Sequence, residues 1–220
     1  MAILLICAQF VHSVGTGIQP SMTTSCFELF KIGIGPSSSH TVGPMLAAWR
    51  FGQLLEAEAL LDDLTRIQID VYGSLAMTGH GHATDIALCM GLMGERPDQI
   101  DPDQIAPKMD LMREQQQVDC FARKQIRFVE ADDLRFHFGT FLPAHPNAVT
   151  FTAFDQTGQQ CAAKTYYSIG GGFVLSEDEI GQSEQDSGTN RHMPFDFSSA
   201  AELMEICTTH NRSIADVMLA

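Results

Sequence analysis

A loop rich in glycine and hydroxyl side chains carries the residues whose types and spacing most directly suggest chemistry. The sequence from Gly33 to Thr41 reads GIGPSSSHT. Its glycines would let the backbone approach a ligand closely, and a helix predicted to begin near Val42 would point unpaired N–H groups at the same place. Hydroxyl donors would come from Ser37, Ser38, Ser39 and Thr41.

One serine before a helix usually does no more than cap it. Three serines followed by His40 and Thr41 exceed what a single cap uses, so the pattern predicts a loop that binds an anion. The loop lacks the Gly-Lys-Ser/Thr ending of a P-loop, which argues against a nucleotide as the ligand.

A second glycine-containing loop, Gly73–Gly81, is predicted between a strand and a buried helix, the position where α/β folds bind ligands. In and just after it, His80, His82 and Asp85 could be metal ligands, or one histidine could be a general base. They could also be ordinary surface residues. The spacing H-x-H-x-x-D is by itself a weak signal for a metal.

The elements that would position these loops follow from hydrophobic periodicity. Val42–Leu61 is predicted as an amphipathic helix, Thr65–Tyr72 as a half-buried strand, and the residues after Thr84 or Asp85, either of which could cap, as a buried helix. Residues 95–124 indicate a connecting region with one short helix. Four strand patterns follow from residue 125: IRFVEA, LRFHF, AVTFTAF and AKTYYSIGGGF. The predicted fold class is α/β (α+β), a largely antiparallel mixed sheet with flanking helices.

Composition narrows the possible partners. Thirteen Lys and Arg against 27 Asp and Glu give a net charge of −14, which repels nucleic-acid backbones and anionic lipid. The opening apolar run, residues 1–8, is shorter than the roughly 20 residues that a membrane span needs. We therefore expect neither nucleic acid nor membrane as a partner.

Six cysteines lie far apart in the sequence and form no C-x-x-C pair. This spacing argues against a zinc knuckle, a thioredoxin-type site or an iron–sulfur cluster bound wholly within the chain. Reduced, buried thiols in a cytoplasmic protein are the favoured interpretation.

Three segments resemble one protein family in order and spacing: GIGPSSSHTVGPM at 33–45, VYGSLAMTGHGHATDIA at 71–87 and KTYYSIGGGF at 164–173. They are similar to the iron–sulfur-dependent bacterial L-serine dehydratases, also called L-serine ammonia-lyases. The resemblance runs from about Cys26 to the end of the chain. It implies a domain similar to the allosteric substrate-binding domain of phosphoglycerate dehydrogenase. It further implies a helical domain whose cysteines, absent from this chain, hold a [4Fe–4S] cluster, and a homodimeric full-length protein.

The resemblance also implies roles for individual residues. The family's T-G-K-G-H segment falls on residues 78–82, which makes His82 the catalytic base and puts His80 at the usual lysine position. The family's G-P-S-S-S-H-T loop would bind L-serine, through Ser37, Ser38, Ser39, His40 and Thr41. Elimination of water from serine needs a base at Cα, donors for the carboxylate and a Lewis acid for the departing hydroxide. This chain carries the first two.

Four segments are expected along the chain. Residues 1–21, which contain no Lys or Arg, are predicted to be an extension outside the fold. Residues 22–176 would form the serine dehydratase β domain, and the acidic residues 177–197 a linker. Residues 198–220 would be the truncated start of the helical catalytic domain, with Ser198 or Ser199 capping one helix and Ser213 another.

The resulting hypothesis is an N-terminal portion of an L-serine dehydratase that is inactive alone and contacts the missing catalytic domain. The alternative is a stand-alone module that senses serine or a related small anion through the same loop. A metal hydrolase built on His80, His82 and Asp85 is the third interpretation.

Overall fold

The computed structural model describes residues 4–5, 31–183, 194–195, 197 and 199–218. These residues fall into two units. The first contains Leu4–Leu5 and residues 31–180, and the second begins at Gly181. Both predicted loops lie in the first unit.

The first unit alternates helices and strands along the chain. Its helices are α1 (Gly43–Ala57), α2 (Gly73–Thr78), α3 (Thr84–Leu92), α4 (Ile105–Gln115), α5 (Glu130–Asp133) and the start of α6 (Glu177–Ser183). Its strands are β1 (Leu4–Leu5), β2 (Lys31–Ile32), β3 (Leu64–Tyr72), β4 (Gln117–Cys120), β5 (Lys124–Arg127), β6 (Leu134–His137), β7 (Asn147–Asp155), β8 (Gln160–Gly170) and β9 (Phe173–Ser176).

Strands β3 to β9 form one mixed sheet in the order β4-β5-β3-β7-β8-β9, with β6 also paired to β3. The pairs of β3 with β5 and β6 are parallel, and the remaining pairs are antiparallel. Strand β3 is central, and its Ile69 lies opposite Phe151 of β7. The predicted α/β fold class is confirmed.

The core lies between one face of this sheet and helices α1 and α3. Alternate residues of β3, Ile67, Ile69 and Val71, are fully buried. Phe51 of α1 stacks on Phe151 of β7, with ring centroids 5.1 Å apart. The period-two pattern in the sequence therefore correctly indicated which face of β3 is covered.

Helices α1 and α3 approach closely because α3 carries a glycine at the crossing point. A Cβ on Gly91 would lie 2.3 Å from the carbonyl oxygen of Met45 and 2.6 Å from the Cβ of Ala48. Both atoms belong to α1, so the interhelical distance depends on the missing side chain.

The first predicted loop is partly helical. Ser38–Val42 forms a π-type turn that leads directly into α1, four residues before the predicted start, and α1 ends at Ala57 rather than Leu61. Ser37 is the cap: its carbonyl oxygen accepts hydrogen bonds from the amides of Thr41 (3.0 Å) and Val42 (3.3 Å). Burial of Thr41 and Val42 outweighs the weak helix propensity of the serines.

The second predicted loop is also helical. Residues 73–78 form α2 and His80–His82 form a 3₁₀ turn. Leu75 and Ala76 of α2 are buried in the core, and this burial overrides the turn signals of the glycines. The expected cap of α3 is wrong as well, because Ala83 precedes the helix in the left-handed conformation and Thr84 belongs to its first turn.

The region 95–124 holds the one expected helix, α4, and also the strand β4, which the sequence analysis missed. The IRFVEA segment is a strand only as far as Arg127, and α5 begins at its Glu130. The other three strand patterns appear as β6, β7, and the β8–β9 hairpin.

The ends of the chain are described in part. Leu4–Leu5 pairs antiparallel with Lys31–Ile32, so two residues of the expected extension do contact the fold. The rest of residues 1–21 lies outside the described residues. The expected linker begins with the helix α6, and residues 184–193, 196 and 198 are not described.

In the second unit, the described residues from 199 to 218 form helices α7 (Ala200–Thr209) and α8 (Ile214–Met218). Ser199 caps α7 by accepting a hydrogen bond from the amide of Glu202 at 3.3 Å, and Ser213 accepts one from the amide of Asp216 at 3.1 Å. Both capping predictions are confirmed. Among the described residues, every helix is too short or too polar to cross a bilayer.

We expect Gly91→Ala to lower the free energy of unfolding by about 1–2 kcal/mol, because overpacking against the backbone of α1 exceeds the gain in helix propensity. The matched control is Gly81→Ala, whose Cβ would meet no atom of the described residues within 4 Å. The control should change stability by less than about 0.5 kcal/mol. Urea unfolding followed by circular dichroism measures both, and equal losses would contradict the close packing at Gly91.

Candidate active site

The two predicted loops meet at the N-terminal ends of α1 and α3. We call residues 37–42 the serine turn and residues 79–84 the histidine turn. The imidazole rings of His40 and His82 lie with centroids 5.1 Å apart and planes tilted by 41°. Hydrogen bonds from Thr41 to the carbonyl of His82 and from Thr84 to the carbonyl of His40 connect the two turns.

Hydrogen bonds within the serine turn fix its side chains. The hydroxyl of Ser37 accepts from the amide of His40 at 3.2 Å, and the Ser39 hydroxyl lies 2.9 Å from Nδ1 of His40. Ser39 is buried, whereas Ser37 and Ser38 are half-buried. The three serines therefore differ in what they can offer a ligand.

The ring of His82 is held by the main chain of α2. Its Nδ1 lies 2.9 Å from the carbonyl oxygen of Thr78. A carbonyl oxygen can only accept, so Nδ1 must carry the proton and donate it, which leaves the lone pair of the neutral ring on Nε2. Within the described part of the chain, no hydrogen bond reaches Nε2. His82 thus has the tautomer that a base acting through Nε2 requires.

His80 points to different partners. Its Nδ1 lies 3.1 Å from a carboxylate oxygen of Asp85, and its ring packs on Phe136 with centroids 4.5 Å apart. The side chain of His80 is 66% exposed. His82 does not join this pair, and the described residues contain no group of three or more side chains arranged to hold a metal ion. The geometry therefore offers no support to the metal hydrolase interpretation.

His40 is neutral at neutral pH. Burial, reinforced by the neighbouring His82, lowers the pKa of His40 below its ordinary value of 6.5, and a hydrogen bond to Ser74 opposes this in part. The Ser74 hydroxyl lies 3.1 Å from Nε2 of His40. A neutral His40 leaves no second positive charge beside His82.

Three residues of the site escaped the sequence analysis. Besides Ser74, Ser168 of β8 is buried and donates to the carbonyl of Ser39 at 2.7 Å, and Asn147 of β7 donates to the carbonyl of Ser168 at 3.2 Å. A Cβ on Gly43 would lie 2.0 Å from the Ser168 hydroxyl, so this glycine is needed for the contact. Ser74 and Ser168 lie within two of the three segments that carry the family resemblance. That placement was the available sign that they belong to the site.

The described cysteines do not suit an iron–sulfur cluster. Within the described part of the chain, no three His, Cys, Asp or Glu side chains are arranged to hold a metal ion. Burial in the core raises the pKa of the Cys89 thiol far above its ordinary value and that of the Cys120 thiol to about 12. Cys161 and Cys207 are also free thiols, and Cys7 and Cys26 lie outside the described residues.

Comparison with known proteins identifies the relatives of this chain. The family described as serine dehydratase beta chain matches residues 25–179. The chain is 38% identical to the L-serine dehydratase of Streptomyces coelicolor over 90% of its own length and 43% of that protein. It is 42% identical to L-serine dehydratase 1 of Escherichia coli over 89% of its length and 42% of that protein. It is also 42% identical to the L-serine dehydratase of Helicobacter pylori strain J99, over 88% and 42% respectively.

The chain therefore spans about two fifths of the length of the curated relatives it matches. The match to the family covers both turns of the site and the strands that support them.

The lowered pKa of His40 predicts how stability depends on pH. The folded protein holds His40 deprotonated, so its contribution to the free energy of unfolding is complete above pH 6.5. That contribution is lost as the pH falls below 6.5, because the unfolded chain then takes up the proton. One proton corresponds to at most about 1.4 kcal/mol per pH unit. We expect His40→Gln to reduce the slope of unfolding free energy between pH 7.5 and 5.5.

Part of the slope should remain, since burial also lowers the pKa of His145. Gly81→Ala supplies the control: it removes no titratable group and should keep the full slope. Guanidinium unfolding at three pH values measures all of these slopes, and an unchanged slope in His40→Gln would contradict the assignment.

Proposed function

Because the chain belongs to the serine dehydratase beta chain family, we propose that it binds L-serine and supplies the base for its dehydration to pyruvate and ammonia. The observation that carries this proposal is the placement of the His82 ring beside the serine turn, with Nδ1 bonded to the Thr78 carbonyl and Nε2 without a hydrogen-bond partner among the described residues. The relatives named above are all L-serine dehydratases.

The base acts through a defined atom. Nε2 of His82 takes the Cα proton of L-serine, and the ring becomes an imidazolium that still donates through Nδ1 to the Thr78 carbonyl. Since His40 is neutral, proton uptake by His82 meets no like charge at 5.1 Å.

The serine turn holds the carboxylate of the substrate. The first amides of the helix that starts at Ser38 have no acceptor within the helix, and they favour a negative charge. The half-buried hydroxyls of Ser37 and Ser38 lie at the same end. Fixing the carboxylate there stabilises the charge that develops when Cα loses its proton.

Loss of the Cα proton and of the β-hydroxyl gives 2-aminoacrylate, which tautomerises to an imine and hydrolyses to pyruvate and ammonia. We propose that the ligands of the [4Fe–4S] cluster lie outside this chain, since the described residues contain no group of three or more side chains arranged to hold a metal ion. The contribution of this chain is to hold the substrate and to remove the proton.

The proposal extends to partners and location. We propose that the β domain contacts a catalytic domain equivalent to the part of the relatives that this chain does not match, within a homodimer. The free, buried thiols of Cys89 and Cys120 suit a reducing compartment, and we propose the cytoplasm.

Complementation tests the role of His82. The chain is mixed anaerobically, with iron and sulfide, with the part of E. coli L-serine dehydratase 1 that it does not match, and pyruvate formation from L-serine is measured. We expect no turnover from the chain alone, turnover from the mixture, and a loss of about 100-fold or more for His82→Asn. His80→Asn is the matched control, and its turnover should stay within tenfold of wild type.

Calorimetry with L-serine completes the test. His82→Asn should bind L-serine like the wild type, because the serine turn is intact. Full turnover by His82→Asn would show that another group is the base. Binding of L-serine without turnover in any mixture would favour the stand-alone sensing module instead.

A further inference from the structure

Two threonine hydroxyls join the serine turn and the histidine turn in opposite directions. Thr41, which follows His40, donates from Oγ1 to the carbonyl oxygen of His82 at 2.8 Å. Thr84, two residues after His82, donates from Oγ1 to the carbonyl oxygen of His40 at 2.6 Å. Each threonine thus bonds to the main chain of the other turn's histidine. We call this pair of hydrogen bonds the threonine clasp.

Both hydroxyls are shielded from water. Thr41 is 1% exposed and Thr84 is fully buried. Water cannot replace the lost acceptor if either bond breaks, so breaking it leaves a buried polar group unpaired. The branched Cβ of threonine also restricts the side chain to few rotamers. The clasp is therefore stiffer than an exposed hydrogen bond between flexible side chains would be.

The clasp acts on main-chain atoms that are fixed on their other side. The amides of His82 and Thr84 both donate to the carbonyl of Gly79, at 3.1 and 2.9 Å, and Ala83 between them is left-handed with φ 56°. This geometry closes the histidine turn on itself. The main-chain carbonyl of His82 accepts the bond from Thr41 of the serine turn. Thr84 donates the return bond to the carbonyl of His40.

Two bonds in opposite directions restrain more than one bond would. A single hydrogen bond lets two turns pivot about it, whereas a second bond, displaced from the first and reversed, removes that rotation. The rings of His40 and His82 extend from the two clasped peptide units, so their 5.1 Å spacing depends on both bonds.

We propose that Thr41 and Thr84 are positioning residues that hold His82 against the serine turn before any substrate is present. The role of His82 as a base rests on the proposed function, whereas the positioning of its ring by the two threonines does not. The sequence analysis placed Thr41 among the substrate-binding residues. The structure directs its hydroxyl to the His82 carbonyl, so Thr41 acts through His82.

The direct test is nuclear Overhauser contact between the ring protons of His40 and His82 in the full chain. We expect this cross-peak in the wild type and a loss of at least fivefold in its intensity in Thr41→Val and in Thr84→Val, which keep the shape but lack the donor. Thr41→Ser and Thr84→Ser restore the hydroxyl and should restore the cross-peak.

Thr65→Val is the matched control. The hydroxyl of Thr65 in β3 donates to the carbonyls of Phe154 at 3.1 Å and Asp155 at 2.7 Å, outside the site. This variant should lower the unfolding midpoint but keep the ring contact. If the clasp only stabilises the fold, Thr41→Val will behave like Thr65→Val, with lower stability and an unchanged cross-peak. That result would overturn the proposal.

Loss of the cross-peak in Thr65→Val would also overturn the proposal, because the ring contact would then report general loosening. If Thr84→Val does not fold, Thr41→Val and its serine counterpart decide the question alone.

Turnover in the complemented mixture separates this inference from the proposed function. We expect Thr41→Val to lower kcat at least tenfold while KM for L-serine changes less than threefold. Lost ring contact in a mixture that never turns over L-serine would overturn the proposed function and leave the positioning role standing. Retained ring contact with normal turnover would overturn the positioning role alone.

Discussion

The packing of α1 against α3 on one face of the sheet is the constraint on which the candidate site depends. Helix α1 packs on β7, β8 and β9, α3 packs on α1 and β4, and Gly91 allows the two helices to approach within backbone contact. Contacts between Thr84 and His40 at one end, and between Gly91 and Met45 further along, show that the two helices run in the same direction. Their N-terminal turns must therefore lie side by side. The serine turn and the histidine turn, about 40 positions apart in sequence, meet because the packing of the two helices in the core places their N-terminal ends together.

This arrangement also controls the charge of the two histidines. His40 lies on the inner side, between the Ser39 and Ser74 hydroxyls, where burial keeps it neutral. His82 is half-buried and has one nitrogen committed to a carbonyl and the other free. Two histidines with the same chemistry thus have different surroundings: both ring nitrogens of His40 lie beside serine hydroxyls, whereas His82 has one nitrogen beside a carbonyl. In a chain with a net charge of −14, the proposed ligand L-serine has the advantage that its zwitterion carries no net charge into that field.

Local sequence pattern predicted the elements whose periodicity is strong and missed those formed by tertiary contact. The alternation in β3 and the apolar residues of α3 were enough to predict both elements and their burial. The turn at Ser38–Val42 was missed because serine has weak helix propensity, and what stabilises the turn is burial of Thr41 and Val42. Helix α2 was missed because Gly73 signals a turn, whereas burial of Leu75 decides the outcome. The proximity of the serine turn and His82 followed from family resemblance. Ser168 bonds to Ser39 across 129 positions, so its place in a family motif was the only sign of its role, and the bond from Asn147 to Ser168 had no such sign.

The three consecutive serines show most clearly what sequence could not resolve. The sequence does not distinguish the three serines from one another, and all three were predicted to bind substrate. In the fold, Ser39 is buried between His40 and the chain of contacts from Ser168, so its hydroxyl and carbonyl are used to hold the turn. Ser37 caps the turn through its carbonyl and through its half-buried hydroxyl, which accepts from the amide of His40, and Ser38 contributes the first helical amide. A repeat of one residue type is therefore divided by burial into a structural member and two members that can meet a ligand. This division arises because the helix starts inside the repeat rather than after it.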